Sequence, residues 1–131
     1  MARPLYRAMR LGFGGPDCGP AANKLGVRVP SEPPPARVDL VPDLVGFVQP
    51  KTGGMSVFAA FTALPISRLP TSHGGYNQKD VLFVLDDTAI VPPLAYLPDH
   101  GAHGTIQPVA PMPVADYQGA LCDTKPHWRL A

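Results

Sequence analysis

Pro50 to Phe58 reads PKTGGMSVF, two adjacent glycines and a serine ahead of an apolar run, in a chain otherwise rich in proline. Paired glycines mark backbone that turns with positive φ or that lets another group come close. Downstream, Ser56 has the spacing of an N-cap to a short helix. Val57, Phe61 and Leu64 would share its inner face, and Pro65 would end it. Upstream, Val38 to Gln49 (VDLVPDLVGFVQ) predicts one or two short strands broken at Pro42.

Further out, Leu5 to Leu11 alternates as a strand that places Leu5, Arg7, Met9 and Leu11 on one face. Arg7 is the odd member, either snorkelling from an edge or pointing into a polar cleft. Gly12 to Ala36, with GFGGPDCGP and PSEPPP, is too dense in proline for a long helix. It lacks the Gly-Lys-Ser/Thr ending of a phosphate loop. Pro65 to Asp80 is a second loop with a Gly74-Gly75 turn, and Val81 to Leu85 (VLFVL) reads as the central strand, buried on both faces. Thr88 to Val91 and Gly104 to Val109 predict further strands. Val114, Tyr117 and Leu121 predict a short helix with Pro113 in its first turn. The sum is an α+β chain in which strands dominate.

With 131 residues the chain is expected to form a single domain, 1–131. Its 18 Pro and 13 Gly sit beside 45% apolar residues, which implies irregular loops on a folded core. A formal charge of +1 gives no basic footprint, so no nucleic-acid partner is expected. No segment has the length of a membrane span or the pattern of a signal peptide, and a soluble, cytoplasmic protein follows as the expectation. If it acts in another cell, other machinery must deliver it. Two cysteines, Cys18 and Cys122, carry no framework signal, and free thiols are the favoured expectation over a pair.

The chemistry-bearing residues are few. Asp99-His100-Gly101-Ala102-His103 holds a His-x-x-His pair beside an aspartate, but no helix face fixes it and no third or fourth ligand is evident; no metal is expected. Glu32 is the only glutamate and lies within SEPPP, which disfavours paired-carboxylate hydrolysis. Three polar residues in apolar surroundings remain: Arg7, Ser56 and His103.

An ordered set of short motifs ties them together. LYRA at Leu5–Ala8 is followed by DLV at Asp39–Val41 with Gly46 beyond, P-x-T-G-G-x-S-V-F at Pro50–Phe58, and Tyr76-Asn77. FVL at Phe83–Leu85, Pro92-Pro93, H-x-T-I-x-P at His103–Pro108 and Pro111-Met112 complete it, with Tyr117 and Leu121 nearby. In this order they resemble the type VI secretion effectors of ADP-ribosyltransferase-like fold, a group classed with toxin–antitoxin toxins. The glycine–serine piece is the most specific.

The resemblance implies a split β-sheet with short helices and long loops, gripping NAD as co-substrate in a central cleft. It implies a mono-ADP-ribosyltransferase toxin that modifies a macromolecular acceptor in the target-cell cytosol, with an immunity or antitoxin protein as partner. Arg7, Ser56 and His103 would be the catalytic residues, and Arg7, Arg37, Thr52, Gly53, Gly54, Ser56 and Tyr76 would contact NAD. The glycines would leave bare backbone against the nicotinamide ribose. The usual third-position Glu is missing, and a lone histidine does not stabilise positive charge developing on the ribose as a carboxylate does. A NAD glycohydrolase, or a nucleotide- or partner-binding module without turnover, therefore stands beside the transferase. NAD-dependent removal of a 2′-phosphate from RNA ranks below them, because only Arg7 and Arg37 offer themselves to the phosphate.

Overall fold

The computed structural model describes residues 2–131. Ten strands and one α-helix follow one another as β1 (Pro4–Met9), β2 (Leu11–Gly12), β3 (Gly15–Pro16), β4 (Phe47–Val48), β5 (Met55–Phe58), β6 (Val81–Asp86), β7 (Leu94–His100), β8 (His103–Pro108), β9 (Met112–Pro113), α1 (Val114–Asp123) and β10 (Arg129–Leu130). The class is α+β. Six of the strands form one sheet in the order β10-β6-β1-β5-β8-β7, with every neighbouring pair antiparallel.

The centre of this sheet is uneven. β1 is registered with β6 along its full length, from Pro4 opposite Asp86 to Met9 opposite Val81. β5 is registered with β8 from Met55 opposite Ile106 to Phe58 opposite His103. Between them β1 and β5 share a single registered pair, Tyr6 opposite Phe58. β6 is thus buried as predicted, but it lies one strand in from the two-residue edge β10; the central strands are β1 and β5.

Alternation along the strands separates two apolar layers. Leu5, Met9, Met55, Val57, Phe83, Leu85 and Ile106 join Tyr117 and Leu121 of α1 and Trp128 in the larger core. Ala8 and Leu82 face the other way and pack with Leu64 and Leu69, covered by Tyr6, Phe58 and Phe61. Each fully buried large side chain contributes about 1.5–3 kcal/mol. Tyr117, at the heart of α1, donates from its hydroxyl to the Ile106 carbonyl at 2.5 Å and accepts from the Met55 amide at 3.1 Å, which pins the start of β5 to β8.

Several expectations are corrected. Ser56 does not cap a helix: residues 55–58 alternate with the two-residue period of a strand, and only a 3-10 turn follows at Phe61–Ala63. Val57 enters the larger core and Leu64 the smaller one, on opposite sides of the sheet. Of Val38–Gln49 only Phe47–Val48 is extended in a ladder, paired with β9. Thr88–Val91 forms no strand; Asp87–Ala89 is a 3-10 turn. β7 was not expected; its Pro98 is tolerated since β7 is an edge strand and its register is irregular between Pro98 and His100. Leu11 ends outside β1 and is exposed. Pro113 stands at the N-cap of α1, one place before the first turn.

Cys18 and Cys122 are bonded, with their Cα atoms 5.4 Å apart, rather than free. The bridge ties the first long loop to the end of α1. A separation of 104 residues leaves no spacing pattern that a sequence reading could detect. No helix among the described residues is long and apolar enough to cross a membrane.

Candidate active site

Arg7 lies on an interior strand, so it does not snorkel from an edge; only 7% of it is exposed. Its guanidinium enters the thinly paired interval between β1 and β5. There Nη1 donates to the Ser56 carbonyl at 2.9 Å, and Nη2 donates to the carbonyls of Lys24 at 2.9 Å and Ala21 at 3.5 Å. Nε is buried and has no hydrogen-bond partner among the described residues. Desolvation, and next the nearby positive charge of Arg68, lower the Arg7 pKa to about 10, and the group remains cationic at neutral pH.

Arg7 helps to line a cavity of about 300 Å³ together with Arg28, Arg37, Asp39, Ser56 and Arg68. Arg28 is clamped by Asp39 through Nε at 3.1 Å and Nη2 at 2.9 Å. Burial by itself would raise the Asp39 pKa. The hydrogen bonds and charge of Arg28, with Arg7 nearby, outweigh burial and hold it below the ordinary aspartate value. Arg68 is anchored on the carbonyls of Ala8 at 3.2 Å and Ala22 at 3.0 Å and pairs with Asp80 at 3.5 Å. Four guanidiniums thus face one cavity that holds a single carboxylate. Arg28 and Arg68 line the cavity too, where the sequence offered only Arg7 and Arg37.

Ser56 connects this cavity to a second group. Its Oγ is 3.2 Å from His103 Nε2, and His103 Nδ1 is 2.7 Å from the Asp99 carboxylate. His103 begins β8 opposite Phe58, whose ring meets the imidazole edge-on at 5.1 Å. Asp99 reaches His103 because the β7–β8 hairpin is irregular. Pro98 is registered with Gly104 and His100 with His103, which leaves Asp99 as the extra residue. A bulge of this kind re-aims a side chain that regular alternation would send to the far face. With a carboxylate at Nδ1, the neutral imidazole carries its proton there and offers Nε2 as acceptor to the Ser56 hydroxyl. Burial would raise the Asp99 pKa, but the hydrogen bonds from His103 and from the His100 amide lower it overall.

The three residues singled out in the sequence therefore stand in one neighbourhood, Arg7 on the Ser56 carbonyl and His103 on the Ser56 hydroxyl. Arg37 is exposed on the rim of the same cavity. Thr52, Gly53, Gly54 and Tyr76 are not among its lining residues. Thr52 donates to the Gln49 carbonyl at 2.7 Å, and Tyr76 is 75% exposed on the Pro65–Asp80 loop. The glycines serve the protein's own packing. A Cβ on Gly54 would come within 2.5 Å of the Ile106 carbonyl oxygen and 3.0 Å of the Tyr117 hydroxyl. Gly53 has φ +123°, and its Cβ would lie 2.8 Å from the Asp39 carbonyl oxygen. Arg28 and Arg68 went unrecognised, and Asp99 was weighed only as a metal ligand beside the His-x-x-His pair, not as the partner of His103 Nδ1.

No curated protein gives a significant match to the chain. The family model described as Tse2 ADP-ribosyltransferase toxin matches residues 8–128, a span that takes in the Ser56–His103–Asp99 group and every lining residue of the cavity except Arg7. Motif order and family match agree, and the chain belongs to the Tse2 ADP-ribosyltransferase toxin family.

Proposed function

We propose that this chain, as one ADP-ribosyltransferase-like toxin domain, transfers ADP-ribose from NAD to a macromolecule in the cytosol of a target cell, and that an immunity protein restrains it in the producer. The interval between β1 and β5 is, on this reading, the split of the sheet. The observation that carries it is the joining of a multi-arginine cavity to a Ser–His–Asp relay through one residue, Ser56.

The residues present fit the dinucleotide. Arg7 Nε is a buried donor beside the cavity without a partner among the described residues, as expected of a group that completes its bonding with a ligand oxygen. Arg28, Arg37 and Arg68 add planar donors suited to a pyrophosphate. When bound, NAD supplies the ADP-ribosyl group and nicotinamide as the leaving group. Arg28 and Arg68, pre-oriented by Asp39 and by backbone carbonyls, hold phosphate oxygens without the entropy loss of free arginines. His103 accepts a proton at Nε2, from Ser56 or from an acceptor hydroxyl that replaces it.

The absent glutamate also finds its counterpart in this arrangement. A neutral histidine hydrogen-bonded to an ionised aspartate is, as a pair, an anion. Asp99 behind His103 supplies negative potential toward the Ser56 side that the imidazole alone lacks.

The test is release of nicotinamide from labelled NAD. Ser56→Ala and His103→Ala, at unchanged urea midpoint, should each lower kcat on the order of 10²-fold, the usual worth of a positioned acid–base group. Equal rates in wild type and both variants would refute the assignment.

A further inference from the structure

The tip of the β7–β8 hairpin carries a second feature that proton transfer at Ser56 does not use. His100 stands directly opposite His103, and their rings stack at 5.2 Å with 29° between the planes. Both turn Nδ1 toward the same oxygen of Asp99, at 3.0 Å from His100 and 2.7 Å from His103. One ligand atom from each of the three residues lies within 4.8 Å of the others.

We propose that Asp99, His100 and His103 form a binding site for a zinc-class divalent cation, and that its occupation withdraws His103 from proton acceptance. Two imidazoles and one carboxylate are a donor set of the three-ligand zinc type, with the fourth tetrahedral position left to water. Zinc–ligand bonds of about 2.0–2.2 Å set tetrahedral donors roughly 3.3–3.5 Å apart, so the Asp99 oxygen, now 3.0 and 2.7 Å from the two imidazole nitrogens, need only draw back slightly to admit the ion. His100 has 82% of its side chain exposed and is free to swing inward from the solvent side. His103 is braced in the manner of a supported ligand, by Ser56 at Nε2 and by the Phe58 ring at its edge.

The consequence, which rests on the enzymatic reading above, is a matter of proton count. A neutral imidazole has one N–H. In the metal-free protein that proton is at Nδ1, facing Asp99, and Nε2 accepts from Ser56. A cation taking the lone pair of Nδ1 forces the single proton onto Nε2. His103 then donates to Ser56 and cannot remove a proton from it. The imidazole stays neutral and need not move; a switch of tautomer suffices.

Metal-free protein is titrated with zinc by calorimetry and with cobalt(II) by visible absorption, and the histidine side-chain nitrogens are followed by NMR. One site per chain is expected, with a tetrahedral cobalt spectrum and transfer of the His103 proton from Nδ1 to Nε2 at saturation. His100→Ala should weaken zinc binding by more than about 10-fold, since losing even an outer-shell partner of a metal costs that much. Nicotinamide release by the wild type should fall on adding zinc and recover with a chelator, whereas the His100→Ala rate, compared with its own metal-free value, should not respond. Equal zinc affinity in wild type and His100→Ala, or a His103 tautomer unchanged at saturation, would overturn the proposal. If metal-free protein releases no nicotinamide yet binds zinc with the tautomer change, the metal site stands and the enzymatic reading fails.

Discussion

Asp99 is the residue on which the chemistry of His103 turns, and its charge and its hydrogen bond are separable. Asp99→Asn keeps an oxygen that can accept from Nδ1 but removes the negative charge from the pair. Because Asp99 is 45% exposed, the fold should tolerate the change, whereas kcat for nicotinamide release should fall about 10-fold or more with KM for NAD little altered. Steady-state kinetics beside thermal melts separate this from a loss of folding. Asp39 makes a contrasting prediction, about stability. Its pKa is depressed in the folded protein, so its pairing with Arg28 contributes fully at neutral pH and is lost as pH falls through the folded value. Urea midpoints measured from neutral to acid pH should drop more steeply in wild type than in Asp39→Asn. Arg7, Ser56 and His103 were legible in the sequence because each sits within a short motif. Arg28, Arg68 and the role of Asp99 behind His103 were not, since loops bring the two arginines to the cavity and a hairpin bulge aims the aspartate.

At the scale of elements, β8 was expected as a further strand, and β1 could be read from alternation, α1 from helical spacing and β6 from its continuous apolar run, because burial imposes those patterns. β5 could not. Ser56 followed by Val57, Phe61 and Leu64 satisfies a helical pattern, and what decides for a strand is pairing with β8, nearly fifty residues away in sequence. The double glycine was legible as a place of close approach, but the partner is Ile106 and Tyr117 rather than a ligand. Gly54→Ala is therefore expected to overpack the β5–β8–α1 junction and destabilise the fold by about 1–3 kcal/mol. A lowered urea midpoint with an unchanged m-value would verify this. If the alanine is as stable as wild type, the junction is looser than the Met55–Tyr117–Ile106 hydrogen bonds require.

At the scale of the whole molecule, the Cys18–Cys122 bridge joins elements that the sheet does not connect. The Gly12–Ala36 loop pairs β2 with β3, bridges Cys18 to Leu25, and supplies the Ala21 and Lys24 carbonyls that hold Arg7. Across the loop, Val27 exchanges hydrogen bonds with the Gln118 side chain of α1 at 2.8 and 3.0 Å. The disulfide fastens this same loop to α1 a turn further on, so a region with few buried side chains is held at two points. Closing so long a loop restricts the unfolded chain, and reduction should lower stability by about 2–4 kcal/mol. Urea unfolding with and without a thiol reductant measures it, with the Cys18→Ser/Cys122→Ser double variant expected to match reduced wild type and to ignore the reductant. Activity should suffer less than stability below the transition, because Arg7 keeps its bond to Ser56 within the sheet even where the loop loosens. A double variant as stable as the oxidised protein would mean that the Gln118–Val27 contacts alone hold the loop, and that the bridge adds nothing to the frame around Arg7.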